Sequence, residues 1–211
     1  MKIKNRSTRL TVATLSVISA LTISAPALAH HPFGGTTPST WMQGFLSGVG
    51  HPIIGPDHLI FTVIVGLLAT RFKVGWTIPI TFLIGGLAGT GFHLIGLNLP
   101  APEFSIALSV VLFGLLSVWE RSLNRGSVVL LSAIAGIFHG YAYGEAVVGA
   151  EVTPLLFYLI GFTVVQGAIA FAAFGIAKRQ PNPAKRSAWR RYVGLIACGA
   201  GSAFLSSLVL G

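Results

Sequence analysis

The sequence predicts an all-α membrane protein: a six-transmembrane helix bundle with a discontinuous first span, after a cleavable signal peptide. Of its 211 residues, 53% are hydrophobic and 9% are charged, and the mean hydropathy is +0.79. Soluble domains carry about 25% charged residues. The apolar residues form runs near the roughly 20 residues that cross a bilayer, without the period-two alternation of barrel strands. We therefore interpret residues 30–211 as one transmembrane domain.

The N-terminus has the three parts of a secretory signal peptide. Basic residues precede an apolar run over 10–23, and Pro26-Ala27-Leu28-Ala29 supplies the small residues of a cleavage site. Cleavage after Ala29 removes residues 1–29, with four positive charges and no acid, so the formal charge falls from +9 to +5. The alternative is an uncleaved first transmembrane helix, for which the apolar run is short.

Six spans are expected after residue 30. Helices over 41–49 and 57–69 form the broken first span, and the others run over 76–97, 104–119, 128–144, 154–177 and 192–210. The remaining ten Lys and Arg all fall in the connections after spans one, three and five. The positive-inside rule makes that side cytoplasmic and places both mature termini outside. We predict a multi-pass protein of the bacterial plasma membrane with no nucleic-acid partner; the oligomeric state stays open.

The first span is broken by the segment His51-Pro52-Ile53-Ile54-Gly55-Pro56-Asp57-His58. The two prolines lack N–H donors and Gly55 permits unusual dihedrals, so we expect a turn rather than a continuous helix. Pro56 suits the first position of a new helix, which puts Asp57 and His58 in its first turn. The alternative is that Asp57 only complements the helix dipole and that the histidines are polar loop residues.

Three further polar residues fall in the outer halves or at the outer ends of later spans: His93, His139 and Glu145. His93 shares a helix face with Gly85 and Gly89, and His139 lies beside a similar glycine series in span four. Glycine stripes allow helices to approach closely, so we expect both histidines to face the bundle. The alternative is that each histidine bonds a backbone carbonyl and packs helices together.

These residues together predict a metal site rich in imidazole and carboxylate. Neutral imidazole suits Ni²⁺, Co²⁺, Cu²⁺ and Zn²⁺, and the absence of clustered Cys or Met argues against Cu⁺. The mature chain would start with His30 and His31, which we interpret as capturing metal from outside; the alternative is an incidental polar loop. The candidate ligands are His51, Asp57, His58, His93, His139, Glu145, His30 and His31.

The pattern His-Pro-x-x-Gly-x-Asp-His over 51–58 resembles the HupE/UreJ family of nickel, and in some members cobalt, permeases. Phe138-His139-Gly140 with Glu145 downstream is similar to a second region of that family. The resemblance implies a secondary carrier, with Ni²⁺ or Co²⁺ as the transported substrate and no prosthetic group. Many relatives carry another histidine where this chain has Tyr143, a poor ligand when neutral, and this change can alter metal preference.

The predicted function is uptake of nickel or cobalt across the plasma membrane, and the two metals share ligand preferences. The alternative is a membrane metal-binding accessory factor for metalloenzyme assembly that does not transport. An intramembrane metalloenzyme is a third class. It is disfavoured because the chain lacks His-Glu-x-x-His and an evident activated serine, and we predict no catalytic residue.

Overall fold

A computed structural model describes residues 36–210. The predicted signal peptide, His30, His31 and Gly211 lie outside the described residues. From 36 to 210 the chain forms helices and no strand, which confirms the all-helical prediction. The helices are α1 (Trp41–Ile54), α2 (Pro56–Ala69), α3 (Thr77–Leu94), α4 (Pro102–Val118), α5 (Arg125–Glu145), α6 (Val152–Arg179) and α7 (Pro183–Leu210).

The break in the first span is a single residue, Gly55. Helix α1 starts after Thr40, whose side chain caps it, and continues through Pro52 to Ile54. The expected turn from His51 onward was therefore wrong. A proline near the end of a helix removes only one backbone bond, and the Gly55 N–H returns to the His51 carbonyl at 3.1 Å. Pro56 then begins α2 as predicted, and the two helices are bent by 78°.

By length and apolar composition, the described residues contain four candidate membrane spans, and five if the bent pair α1–α2 counts as one. The four are α3, α5, α6 and α7. Helix α4 is apolar but has 17 residues, which is about 25 Å at 1.5 Å per residue, shorter than the roughly 30 Å of hydrocarbon. The prediction of a multi-pass helical membrane protein is confirmed, and the count of six stays a prediction.

Helix α6 ends at Arg179 and helix α7 begins at Pro183, so the predicted start of the last span at residue 192, with a basic connection over 178–191, was wrong. The Asn182 side chain accepts hydrogen bonds from the N–H groups of Ala184 and Lys185. Asparagine at the cap followed by proline is a helix start that needs no apolar residues. Hydropathy missed this start because the first turns of α7 are basic and exposed.

Close helix packing rests on glycines. A Cβ on Gly85 or Gly89 of α3, or on Gly136 of α5, would overlap a backbone carbonyl of the facing helix. Gly48 of α1 lies in the same way against the Tyr158 carbonyl of α6. These contacts hold the helices that carry the candidate ligands close together.

Arginine side chains connect the end of α2, the end of α4 and the first turns of α7. We call this region the arginine end; it comprises Arg71, Arg190 and the exposed pair Arg191–Glu120. Arg190 Nε donates to the Ser117 carbonyl at 3.1 Å, and Arg191 pairs with Glu120. Arg71 donates to three carbonyls at the end of α4, those of Leu116, Trp119 and Arg121.

Candidate functional site

Three buried histidines meet where α1 bends into α2, and we call them the histidine cluster. His51 lies in the last turn of α1, His58 in the first turn of α2 and His139 in α5. Each is at most 2% exposed. The Nδ1 atoms of His58 and His139 are 2.8 Å apart, and the ring centroids of His51 and His58 are 5.9 Å apart. Three elements distant in sequence thus bring their imidazoles together.

Ser109 of α4 determines the tautomer of His139. Its hydroxyl donates to the Ile106 carbonyl at 2.7 Å and lies 3.0 Å from His139 Nε2. Because a hydroxyl has one hydrogen, it must accept from His139 Nε2–H. The lone pair of a neutral His139 is then on Nδ1, where it accepts from His58 Nδ1–H, and the lone pair of His58 is on Nε2.

Tyr158 of α6 orients His51 in the same way. Its hydroxyl donates to the Tyr143 carbonyl at 2.9 Å and lies 2.9 Å from His51 Nδ1. The hydroxyl therefore accepts from His51 Nδ1–H, which places the lone pair of neutral His51 on Nε2. Hydrogen bonds of this kind fix the ring and tautomer of metal-binding histidines.

Tyr143 fills the space between the histidines. Its ring centroid lies 4.7 Å from that of His51 and 4.5 Å from that of His58, and the side chain is fully buried. Gln166 of α6 donates from Nε2 to the Tyr143 hydroxyl at 2.8 Å. Tyr143, at which the sequence was noted to depart from the family pattern, therefore faces the cluster.

Asp57 is half-buried in the first turn of α2, directly before His58. Its Oδ1 accepts the His58 backbone N–H at 2.9 Å. This contact is the one expected of an acid that complements a helix N-terminus. The carboxylate also places negative charge next to the imidazole of the following residue.

His93 and Glu145 occupy other surroundings. The half-buried His93 packs on the ring of Tyr141, with centroids 4.4 Å apart, and fills the space above Gly144. Among the described residues, its Nδ1 has no hydrogen-bond partner. Glu145 is exposed at the end of α5. The structure therefore brings His51, His58 and His139 together. It places His93 against Tyr141 and Gly144 of α5, away from the three histidines, and leaves Glu145 exposed.

Comparison with known proteins decides the family. The model of the family described as HupE / UreJ protein matches residues 18–204. The chain belongs to the HupE / UreJ family. Protein HupE of Rhizobium leguminosarum bv. viciae is 29% identical over 186 residues, which cover 87% of this chain and 93% of that protein. No solved structure matches the chain.

In this HupE / UreJ protein His58 and His139 form a hydrogen bond to each other, and His51 forms one with Tyr158. Within residues 36–210, no group of three or more His, Cys, Asp or Glu side chains is arranged to hold a metal. The His58–His139 hydrogen bond occupies the Nδ1 lone pair of His139. Binding an ion here would require this bond to open and the lone pairs to turn toward a common point.

A phenylalanine layer closes the cluster on the side of the bundle core. The Phe61 ring lies 4.3 Å from His139 between centroids, and it also packs on Phe82 and Phe113. All three phenylalanines are fully buried. The polar cluster therefore borders directly on the apolar core.

Three partners of the site were not predicted from the sequence: Ser109, Tyr158 and Gln166. Ser109 and Tyr158 bond histidines of the cluster and Gln166 bonds Tyr143, each from a distant part of the chain, so no local motif includes them. One signal was available for Gln166, because it is the only amide within the apolar run over 154–177. Polar side chains within membrane spans are costly and functional by default.

Proposed function

We propose that this HupE / UreJ protein is a permease that carries a divalent transition metal, nickel or cobalt, across the plasma membrane. The observation that supports it best is the convergence of three buried imidazoles at a helix bend within an apolar bundle. Transporters place their substrate sites at discontinuous helices, and imidazole suits Ni²⁺ and Co²⁺. The resemblance to the family implies a secondary carrier, and the chain contains no nucleotide-binding motif.

In this proposal the ion replaces the hydrogen bond between His58 and His139. His139 binds through Nδ1, which Ser109 leaves as the basic nitrogen, and His51 binds through Nε2. His58 binds through Nε2, or through Nδ1 after a tautomer change. Asp57 offsets the positive potential of the α2 N-terminus, which would repel a cation. The residues proposed to capture metal and lead it to the cluster are His30, His31, His93 and Glu145.

The proposed topology has six spans, with the bent pair α1–α2 as the first and α4 as the third. A helix shorter than the bilayer is accommodated by local thinning. The arginine end gathers Arg71, Arg190 and Arg191, which supports a cytoplasmic location for that end. The histidine cluster then faces the outside, and both mature termini are extracytoplasmic after cleavage at Ala29.

The test is uptake of radioactive nickel and cobalt, in parallel, into proteoliposomes of the purified chain. Asp57→Asn removes the proposed charge, and Glu120→Gln is the matched control because it makes the same change at the exposed arginine end. We expect uptake of at least one metal, lost in Asp57→Asn and kept in Glu120→Gln.

Two other outcomes would change the assignment. Metal that binds in equilibrium dialysis but is not taken up would favour the accessory factor for metalloenzyme assembly. A chain that neither binds nor transports nickel or cobalt would contradict both functions.

A further inference from the structure

The hairpin formed by α6 and α7 carries an exposed cationic patch where the two helices are joined. Residues 180–182 connect the end of α6 to the start of α7. The exposed cations on either side are Lys178, Arg179 and Lys185, which we call the hairpin cations. Within residues 36–210 none of the three forms an ion pair. Because the sequence contains no Asp or Glu after Glu151, the hairpin has no acid of its own to balance them.

One face of α7 changes in order from charged to aromatic to apolar. Its side chains follow one another at helical spacing and are all exposed: Lys185, Trp189, Tyr192 and Ile196. Trp and Tyr are enriched at the boundary between headgroups and hydrocarbon. Residues 193–210 extend about 27 Å at 1.5 Å per residue, close to the roughly 30 Å of hydrocarbon. Lys185 therefore lies at the level of the lipid headgroups.

The end of α6 has the same order of side chains. Ile176 is exposed in the last turns of the helix, and Lys178 and Arg179 follow it. The Lys178 ammonium lies 5.1 Å from the centroid of the Phe174 ring, which places this cation at the edge of the apolar surface. Both helices thus expose an aliphatic side chain on the membrane side of a cation. This order matches a phospholipid, whose acyl chains lie beneath a charged headgroup.

We propose that the hairpin cations bind the headgroup of an anionic phospholipid, with its acyl chains against the exposed aliphatic side chains of α6 and α7. Basic residues next to a transmembrane helix increase the affinity for anionic lipid by roughly fivefold per charge. A lipid is favoured over an acidic protein because the patch continues directly into the aromatic and apolar surface of the same helices. The inference is independent of metal transport.

The experiment measures lipid binding to the full chain in detergent, without metal, by native mass spectrometry. The two lipids are dioleoyl phosphatidylglycerol, which is anionic, and dioleoyl phosphatidylcholine, which has no net charge. One variant neutralises the hairpin cations and carries Lys178→Gln, Arg179→Gln and Lys185→Gln. The matched control removes the same charge from three other exposed cations, in and after the connections that follow α2 and α4: Lys73→Gln, Arg121→Gln and Arg125→Gln.

We expect the wild type to bind phosphatidylglycerol at least about tenfold more tightly than phosphatidylcholine. The hairpin variant should lose this preference, and the control should keep it to within about twofold. A further variant that keeps the charges, with Lys178→Arg, Arg179→Lys and Lys185→Arg, should bind as the wild type does. Loss of the preference in this variant would overturn the proposal, because the charges would then not account for binding.

Three other results would also overturn the proposal. Equal losses in the hairpin variant and the control would mean that the whole basic surface attracts lipid, with no site at the hairpin. A wild type without a preference for phosphatidylglycerol would exclude the lipid. Binding of hexaglutamate by such a wild type would identify an acidic polypeptide as the partner instead.

Discussion

The histidine cluster and the arginine end satisfy the hydrogen bonds of their polar side chains in different ways. Both hold polar side chains against an apolar bundle, where an unpaired polar atom is costly. At the arginine end, Arg71 donates to three backbone carbonyls. In the cluster, the partners are other side chains: His139 with His58 and His51 with Tyr158.

The two regions differ in whether the hydrogen-bonding partners can change their donor and acceptor roles. Carbonyls at a helix end are fixed acceptors that attract positive charge, so the arginine end stabilises the joining of α2, α4 and α7. Imidazoles and hydroxyls both donate and accept, and imidazoles also bind metals. In the proposed function the cluster exchanges its internal hydrogen bonds for an ion, whereas the arginine side chains have only donors and cannot bind one.

The largest expected effect distinguishes His139 from His93, two histidines that were both predicted to face the bundle because each lies beside a series of glycines. His139→Ala should reduce nickel uptake by at least about a hundredfold, because it removes a proposed ligand from the cluster. His93→Ala should reduce uptake less, since His93 packs on Tyr141 outside the cluster. Initial uptake rates in proteoliposomes measure both. Equal losses would mean that His93 joins the cluster when metal binds.

A smaller effect is expected from the residues that orient the histidines. Ser109→Ala removes the acceptor that holds His139 in its tautomer, so nickel affinity should fall roughly tenfold without loss of folding. Tyr158→Phe should act similarly through His51. Equilibrium dialysis gives the affinity. Wild-type affinity in both variants would show that the side-chain bonds serve packing alone.

The smallest effect on transport is expected at the arginine end. Arg71→Lys loses the planar fork that reaches several carbonyls and should lower the free energy of unfolding by about 1–3 kcal/mol. Uptake per folded molecule should stay at the wild-type level. Arg191→Gln is the control, because an exposed ion pair contributes about 0–1 kcal/mol. An Arg71→Lys variant that folds normally but fails to transport would show that the arginine end takes part in transport as well as in stability.

Local chemistry made some parts of the architecture predictable. Pro56 at the first position of α2, Asp57 in its first turn and the glycine contacts between α3 and α5 follow from spacing along one element. The extents of α1 and α7 did not follow. Pro52 is tolerated inside α1 because it lies near the helix end, and the start at Pro183 depends on a cap rather than on hydropathy.

The candidate site was partly predictable for the same reason. His51 and His58 belong to one short motif, and His139 could be assigned a bundle-facing side from its glycine neighbours. The partners of His139 and His51 are Ser109 of α4 and Tyr158 of α6, and Gln166 of α6 bonds Tyr143. Contacts between distant helices leave no periodic signal, so only the folded chain reveals them.

X-ray absorption at the nickel edge of the metal-loaded, tag-free chain tests most directly whether the histidine cluster binds the ion. We predict the scattering pattern of about three imidazoles, with one fewer in His51→Ala. A shell of oxygen ligands without imidazole scattering would contradict metal binding by the histidine cluster.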